Sequence, residues 1–287
     1  NLPPNNSFTQ AYVRDTSTGV TTLVSKTPGP AGSAANNHVS QAAISGNGQY
    51  VVFATAASNL AAGDVNGVHD VFRVRLSDGA LDLISIDDAD GNANAQSVDP
   101  SISSNGSRVA FLSDASDLIA GDAASTDAFV RDTTAGETTR MSVSSAGSHI
   151  AAHTEGESVE ISPDGSMVAF TSSAPDLAPG DSEAPFTAEL YARSVDGSIP
   201  THLVSVRSNG IEAVDGESFR ASLSQDGRYV AFESDAADMV GGVSGVHTYV
   251  RDRVAGTTVL AGRADGASGA VPSTGTSHPS ISDDGRF

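Results

Sequence analysis

The ten residues ISGNGQYVVF, numbers 44 to 53, decide the architecture because they recur. The phrase returns as ISSNGSRVAF from Ile102, ISPDGSMVAF from Ile161, LSQDGRYVAF from Leu223 and ISDDGRF from Ile281, so successive copies start 58 to 62 residues apart. A period that regular marks one supersecondary unit copied along the chain. Within the second copy, Pro100 to Ser103 reads as a short strand, and Asn105-Gly106 as a turn that supplies a positive φ. Arg108 to Ser113 is the returning strand. Its apolar triplet Val109-Ala110-Phe111 is repeated at 51–53, 168–170 and 230–232. Neighbouring strand residues face opposite ways, so a triplet implies a sheet covered on both faces.

Downstream of a loop of about a dozen residues, a third strand carries an aromatic, at Tyr12, Phe72, Phe129, Tyr191 and Tyr249. Three copies continue into Arg-Asp, at 14–15, 131–132 and 251–252. The two side chains lie on opposite faces, so each is expected to bond a neighbouring strand or loop. A glycine turn leads to a fourth strand, TTLVS from Thr21, LDLIS from Leu81, TTRMS from Thr138, THLVS from Thr201 and TTVL from Thr257.

Four strands per unit and no helical pattern describe an all-β fold, a β-propeller of four-stranded blades. A β-solenoid would have shorter coils and no such loop in every unit. The phrase resembles the TolB-type propeller repeat, whose consensus centres on Ser-Pro-Asp-Gly. Residues 162–165 match it outright; 224–227 and 282–285 match in part, and the first two copies carry Asn for Asp. That resemblance implies a family of periplasmic scaffolds, peptidase gating domains and a few enzymes. It speaks for fold more than for activity. Phe287 aligns with Tyr229, and Asn1-Leu2 with Asp238-Met239. About five blades are therefore expected, one split between the termini and lacking counterparts of Val230 to Ala237. Residues 1–287 read as a single propeller domain, incomplete at one or both ends and open to belonging to a larger propeller.

The formal net charge is −20, from 15 basic and 35 acidic residues. Such a surface repels nucleic acid and anionic lipid, and the acids are dispersed as a solubilising surface would be. There is no cysteine, hence no disulfide framework and no thiolate zinc site. No apolar run reaches the roughly 20 residues that span a bilayer. No serine-hydrolase elbow, Walker loop, dinucleotide fingerprint or H-E-x-x-H is found.

Two sets of residues are candidates for function. The loop between second and third strands opens on Gly-Asp at 63–64, 121–122 and 180–181. Its first copy places Asp64, Asn66 and Asp70 with some of the alternation of a calcium loop, although the late glutamate is absent. The competing expectation is an Asp bonding its own loop backbone. The second set lies three residues before each marker, on the strand expected to line a central channel: Gln41, Asp99, Ser158, Arg220 and His278. Their chemistry varies while the scaffold repeats. His149 and His153, with Glu155 and Glu157, read as an exposed polar loop. Asn5-Asn6-Ser7 and Asn105-Gly106-Ser107 are glycosylation sequons, relevant only in a glycosylating host.

The functional expectation is a non-catalytic propeller, periplasmic or secreted to the cell surface, that binds a protein or a glycan at its loop face or channel mouth. No cofactor is required, and calcium is the one ion the loop suggests. The alternative is the propeller portion of a larger enzyme, either a prolyl-oligopeptidase-like peptidase or a polysaccharide-active lyase or hydrolase.

Overall fold

The computed structural model describes residues 7–29, 31–62, 64, 66–122, 125–150, 158–181, 187–213, 216–241, 243–264, 266, 269–271 and 275–287. Every regular element among them is a strand, and none is a helix that could cross a membrane. The chain divides into two compact units, Asn1–Arg140 and Met141–Phe287.

In the first unit, β1 (Tyr12–Arg14) and β2 (Thr21–Leu23) form a two-stranded sheet. β3 (Val39–Ile44), β4 (Tyr50–Thr55), β5 (Asp70–Arg75) and β6 (Leu81–Leu83) make a four-stranded sheet in chain order. β7 (Ser97–Ile102), β8 (Arg108–Ser113), β9 (Asp127–Asp132) and β10 (Glu137–Arg140) make the next. The second unit repeats the plan with β11 (Val159–Ile161), β12 (Met167–Ser172), β13 (Glu189–Ser194) and β14 (His202–Leu203). It does so again with β15 (Ser218–Leu223), β16 (Tyr229–Ser234), β17 (His247–Asp252) and β18 (Thr257–Leu260). All pairings are antiparallel, so each sheet is a meander of the propeller-blade type. The returning strand expected at 108–113 is β8, and the first strand of that copy begins at Ser97 rather than Pro100.

The marker phrase owes its composition to one turn. Ser45 Oγ accepts the Tyr50 N–H (2.9 Å), and the same bond recurs at Ser103, Ser162, Ser224 and Ser282. The Asn or Asp two residues on accepts the N–H of the residue after the glycine, as Asn47 does from Gln49 (2.9 Å) and Asp164 from Ser166 (2.8 Å). Within this turn positive φ falls on glycine, 66° at Gly48 and 76° at Gly106, with Asn47 and Asn105 outside that region. The Ser-x-Asx-Gly phrase is thus a hairpin closure, which explains why it reports on fold and not on activity.

Core packing follows from the strand registers. The triplet Phe and the third-strand aromatic face each other and stack: Phe53 on Phe72 and Phe111 on Phe129 in the first unit, Phe170 on Tyr191 in the second, all with centroids 5.8 Å apart. Each such pair adds about 0.5–1.5 kcal/mol beyond the area it buries. Adjacent repeats in a unit also touch turn to turn. The Asn47 N–H donates to the Ser104 carbonyl (2.9 Å), and a Cβ at Gly106 would collide with the ring of Tyr50.

This geometry separates two equivalent glycines. Gly48 has nothing within 4 Å of where a Cβ would stand, so Gly48→Ala is expected to cost only the left-handed backbone penalty, about 1–2 kcal/mol. Gly106→Ala adds the displacement of Tyr50 and should cost about 2–4 kcal/mol. Urea unfolding of the two variants measures the difference.

Candidate functional site

At two of the positions three before the marker, Asp99 and Arg220, the first strand bulges. Register shifts interrupt β3–β4 between Val39 and Gln41, β7–β8 between Val98 and Ser101, and β15–β16 between Phe219 and Ser222. Asp99, Arg220 and His278, each three before its marker, have φ of 53°, 51° and 60°, a conformation rare for residues other than glycine. In the first unit the Asp99 N–H donates to Gln41 Oε1 (3.1 Å). In the second, the Arg220 N–H donates to Ser158 Oγ (3.3 Å), which also meets Thr171 Oγ1 (3.1 Å). At Asp99 and Arg220 the backbone N–H is thus turned towards the equivalent side chain of the preceding repeat, whereas the His278 N–H goes to Glu233.

Arg220 and His278 converge on a residue that sequence reasoning missed. Glu233 is 1% exposed, accepts from Arg220 Nη1 (3.3 Å) and takes the backbone N–H of His278. The Arg220 side chain stays 53% exposed, with its guanidinium 5.8 Å from the Phe219 ring. A charge-assisted bond to a buried carboxylate holds the guanidinium in place while its remaining donors face solvent. A signal was available: the residue after the triplet Phe is Ala54, Leu112 and Thr171 in the other copies, and only here an acid.

The loop acids form a second series. Asp64, Asp122 and Asp181 each donate a backbone N–H to the carbonyl three residues back, at 3.4, 3.3 and 3.2 Å. Among the described residues their carboxylates meet the third or fourth strand: Asp70 for Asp64, Arg140 for Asp122 and Tyr191 for Asp181. In the first copy Asp64 meets Asp70, the residue that opens β5, and both are buried, at 4% and 0% exposure. Burial, the Asp70 charge and a hydrogen bond given to Asp70 raise the Asp64 carboxyl to about 6. Burial likewise raises Asp70, although Ser85 Oγ (2.7 Å) and Asn66 Nδ2 (2.9 Å) donate to it. Asn66 is fixed by its neighbours: its Oδ1 takes the Val68 N–H (3.1 Å) and its Nδ2 gives to the Ala93 carbonyl (3.0 Å). The structure therefore brings Asp64, Asn66 and Asp70 together, but Asn66 turns nitrogen towards the carboxylates. Asp64 hydrogen-bonds Asp70, and Asn66 donates to Asp70 as well.

The second copy solves the same problem differently. Arg140 pairs with Asp122 and lies 3.9 Å from Asp127, the equivalent of Asp70, with side chains 5%, 0% and 3% exposed. Strand register puts Leu83 where Arg140 stands. In the third copy the Tyr191 hydroxyl donates to Asp181 (2.8 Å) and Ser205 Oγ to Glu189.

The Arg-Asp pairs are structural, as their alternation implied. Arg131 reaches Thr138 Oγ1 (3.0 Å) on β10, while Asp132 binds Arg108 (3.0 Å) and caps the turn through the Thr134 N–H (2.9 Å). Arg251 and Asp252 do the same with Thr258 (3.1 Å) and Arg228 (2.8 Å). His149 lies in a bridge with Val143. His153, Glu155, Glu157, Gly63, Asn5 and Asn6 lie outside the described residues.

No family model matches the sequence, and no curated protein matches it. Solved structures match over most of its length. Oligogalacturonate lyase from Vibrio parahaemolyticus is similar at 14% identity and TM-score 0.53, over 96% of this chain and 62% of that one. The tricorn protease is similar at 11% and 0.50, over 86% and 24%. TolB from Acinetobacter baumannii is similar at 14% and 0.49, over 89% and 50%. The fold is an all-β propeller of four-stranded blades. At these identities the likeness reaches the propeller and stops short of its activity, and the chain spans half the length of that TolB.

Two measurements test the propeller's buried acids. Because folding raises the Asp64 carboxyl to about 6 from 3.8, the folded state holds the extra proton between those values. The contribution of this group to stability therefore falls as pH rises from about 4 to 6 and stays low above. Asp64→Asn should remove that decline, seen as a flatter melting temperature against pH than the parent. Arg140→Leu leaves two buried carboxylates without their cation and should cost about 3–5 kcal/mol in urea unfolding.

Proposed function

We propose that the chain is a non-catalytic binding propeller that recognises a protein or glycan through the first strands of its blades and the loops beside them. The observation that carries this reading is the left-handed residue three before the marker. Its backbone is held alike at Asp99, Arg220 and His278, whereas the displayed side chains are an acid, a guanidinium and an imidazole. A scaffold that repeats while its exposed polar groups differ is suited to an asymmetric ligand. Arg220 is the best-formed element, since Glu233 orients it and its outer N–H groups remain open to a carboxylate, hydroxyl or carbonyl. The dispersed charge of −20 argues against nucleic acid as that ligand. Work outside the cytoplasm is part of the proposal and rests on the resemblance of the repeat to the TolB type.

The variant Arg220→Asn with His278→Asn keeps residues that tolerate positive φ and removes both side chains. Binding of the parent to a glycan array and a peptide array should give ligands that the double variant holds at least about tenfold more weakly, or about 1.4 kcal/mol. Because the buried Glu233 loses its guanidinium, the double variant's melting temperature should fall by several degrees, so binding is compared at a temperature where both proteins are folded. A ligand bound equally by both proteins would refute the role of this face. Turnover of that ligand would replace the reading with the enzyme one.

A further inference from the structure

The seam between the β11–β14 and β15–β18 sheets inverts the charge of its counterpart between the β3–β6 and β7–β10 sheets. In the first unit Arg73 donates Nη1 to the Gly106 carbonyl (2.6 Å) and Nη2 to Asp82 on β6 (2.7 Å). In the second unit Arg253 donates Nη1 to the equivalent Gly227 carbonyl (2.6 Å). Strand register puts His202 where Asp82 stands, and Arg253 Nε donates to His202 Nε2 (2.9 Å). The next guanidinium repeats the contrast. Arg131 Nη1 donates to Thr138 Oγ1 (3.0 Å), with Asp88 at 3.4 Å and Asp90 at 3.6 Å from its guanidinium. Arg251 Nη1 makes the same bond to Thr258 Oγ1 (3.1 Å), but Ser208 and Gly210 take the places of Asp88 and Asp90. The backbone fixes that equivalence: the Asp90 and Gly210 N–H groups each bond the carbonyl three residues back, and the Thr138 and Thr258 N–H groups bond Asp88 and Ser208.

Two guanidiniums are thus left unmatched in a chain of net charge −20. Arg228 takes Asp252 (2.8 Å) and Arg207 takes Asp238 (3.0 Å), and among the described residues no carboxylate pairs with Arg251 or Arg253. Burial lowers both guanidiniums, with Asp252 and Asp226 acting the other way. The two arginines lie two residues apart and so face the same way. Arg253 Nη2 meets only the Met167 sulfur, at 3.9 Å. His202 is neutral in this arrangement. Its Nδ1 lies 3.0 Å from the Pro200 carbonyl, which can only accept, so Nδ1 carries the proton and Nε2 accepts from Arg253. Burial lowers its pKa, and the charges that face it, Arg253 and Arg251, act in the same direction. All three side chains are partly exposed.

We propose that this seam binds a carboxylate from outside the chain, seated between Arg251 and the Arg253–His202 pair, where the first unit uses its own Asp82 and Asp90. A guanidinium presents a planar fork that matches a carboxylate, and a partly buried pair of them is worth more than an exposed one. Negative charge beside His202 favours the imidazolium, which adds Nε2–H as a further donor. Binding therefore takes up a proton, and affinity rises as pH falls.

Calorimetric titration of the full chain at constant ionic strength uses two probes, tartrate and a capped tri-aspartate peptide, to separate a free carboxylate from the acidic segment of a partner. At least one should bind saturably with a dissociation constant below about 1 mM, and tighten at least about threefold between about pH 8 and about pH 6. Gly210→Asp supplies the carboxylate from within. Its backbone has φ of 78° where Asp90 stands at 63°, and a Cβ there meets nothing within 4 Å. This variant should melt no lower than the parent and bind the probe at least about tenfold more weakly. His202→Gln still accepts from Arg253 but cannot be protonated, so it should bind with the pH dependence removed. No saturable binding of either probe up to about 20 mM overturns the proposal. So does parent-like binding by Gly210→Asp, or a pH dependence that survives His202→Gln.

Discussion

The left-handed glycine of the first turn is the constraint on which each repeat depends. Only a residue without Cβ both adopts φ near 70° at low cost and lets the turn press on the preceding repeat, as Gly106 does on Tyr50 and Gly227 on Met167. The serine and Asx that flank it satisfy the backbone groups the turn leaves open. Hairpin register, the stacking of Phe on the third-strand aromatic and the distance between neighbouring sheets all follow from that closure. The phrase is therefore repeated for mechanical reasons, and variation is tolerated where the turn does not reach.

Variation falls in two places with different physics. Three before the marker, backbone geometry is shared and side chains differ, so chemistry is displayed on a fixed frame. At the opening of the third strand the position is buried in every complete sheet, yet it is occupied by Asp70, Asp127, Glu189 and His247. Buried polar groups need partners, and each copy found its own: a hydrogen bond with Asp64, a guanidinium from β10, a serine hydroxyl on Glu189, and the Ser244 carbonyl for His247 (3.2 Å). Repeats that look interchangeable in sequence thus differ in what partners their buried acids.

The strands were legible because alternation and triplets are local patterns; Tyr12, Phe72, Phe129, Tyr191 and Tyr249 all fall on third strands. The proximity of Asp64, Asn66 and Asp70 was legible for the same reason, being a matter of one short loop. Their chemistry was not, since the direction of the Asn66 amide is set by Ala93, 27 residues away, and the missing cation by a leucine on β6. Glu233 stood out only as an odd residue in a buried strand. Its role needed Arg220 and His278, 13 and 45 positions distant, to be brought against it.

By itself the sequence determined the repeat, the four-stranded unit, the turn chemistry and the positions where side chains vary, because these depend on φ preferences and on contacts within some twenty residues. Tertiary structure alone decided which carboxylates are buried and which of them meet a cation. Burial and electrostatic partnership are properties of space, and neighbouring repeats some 60 residues apart in the chain are adjacent in it.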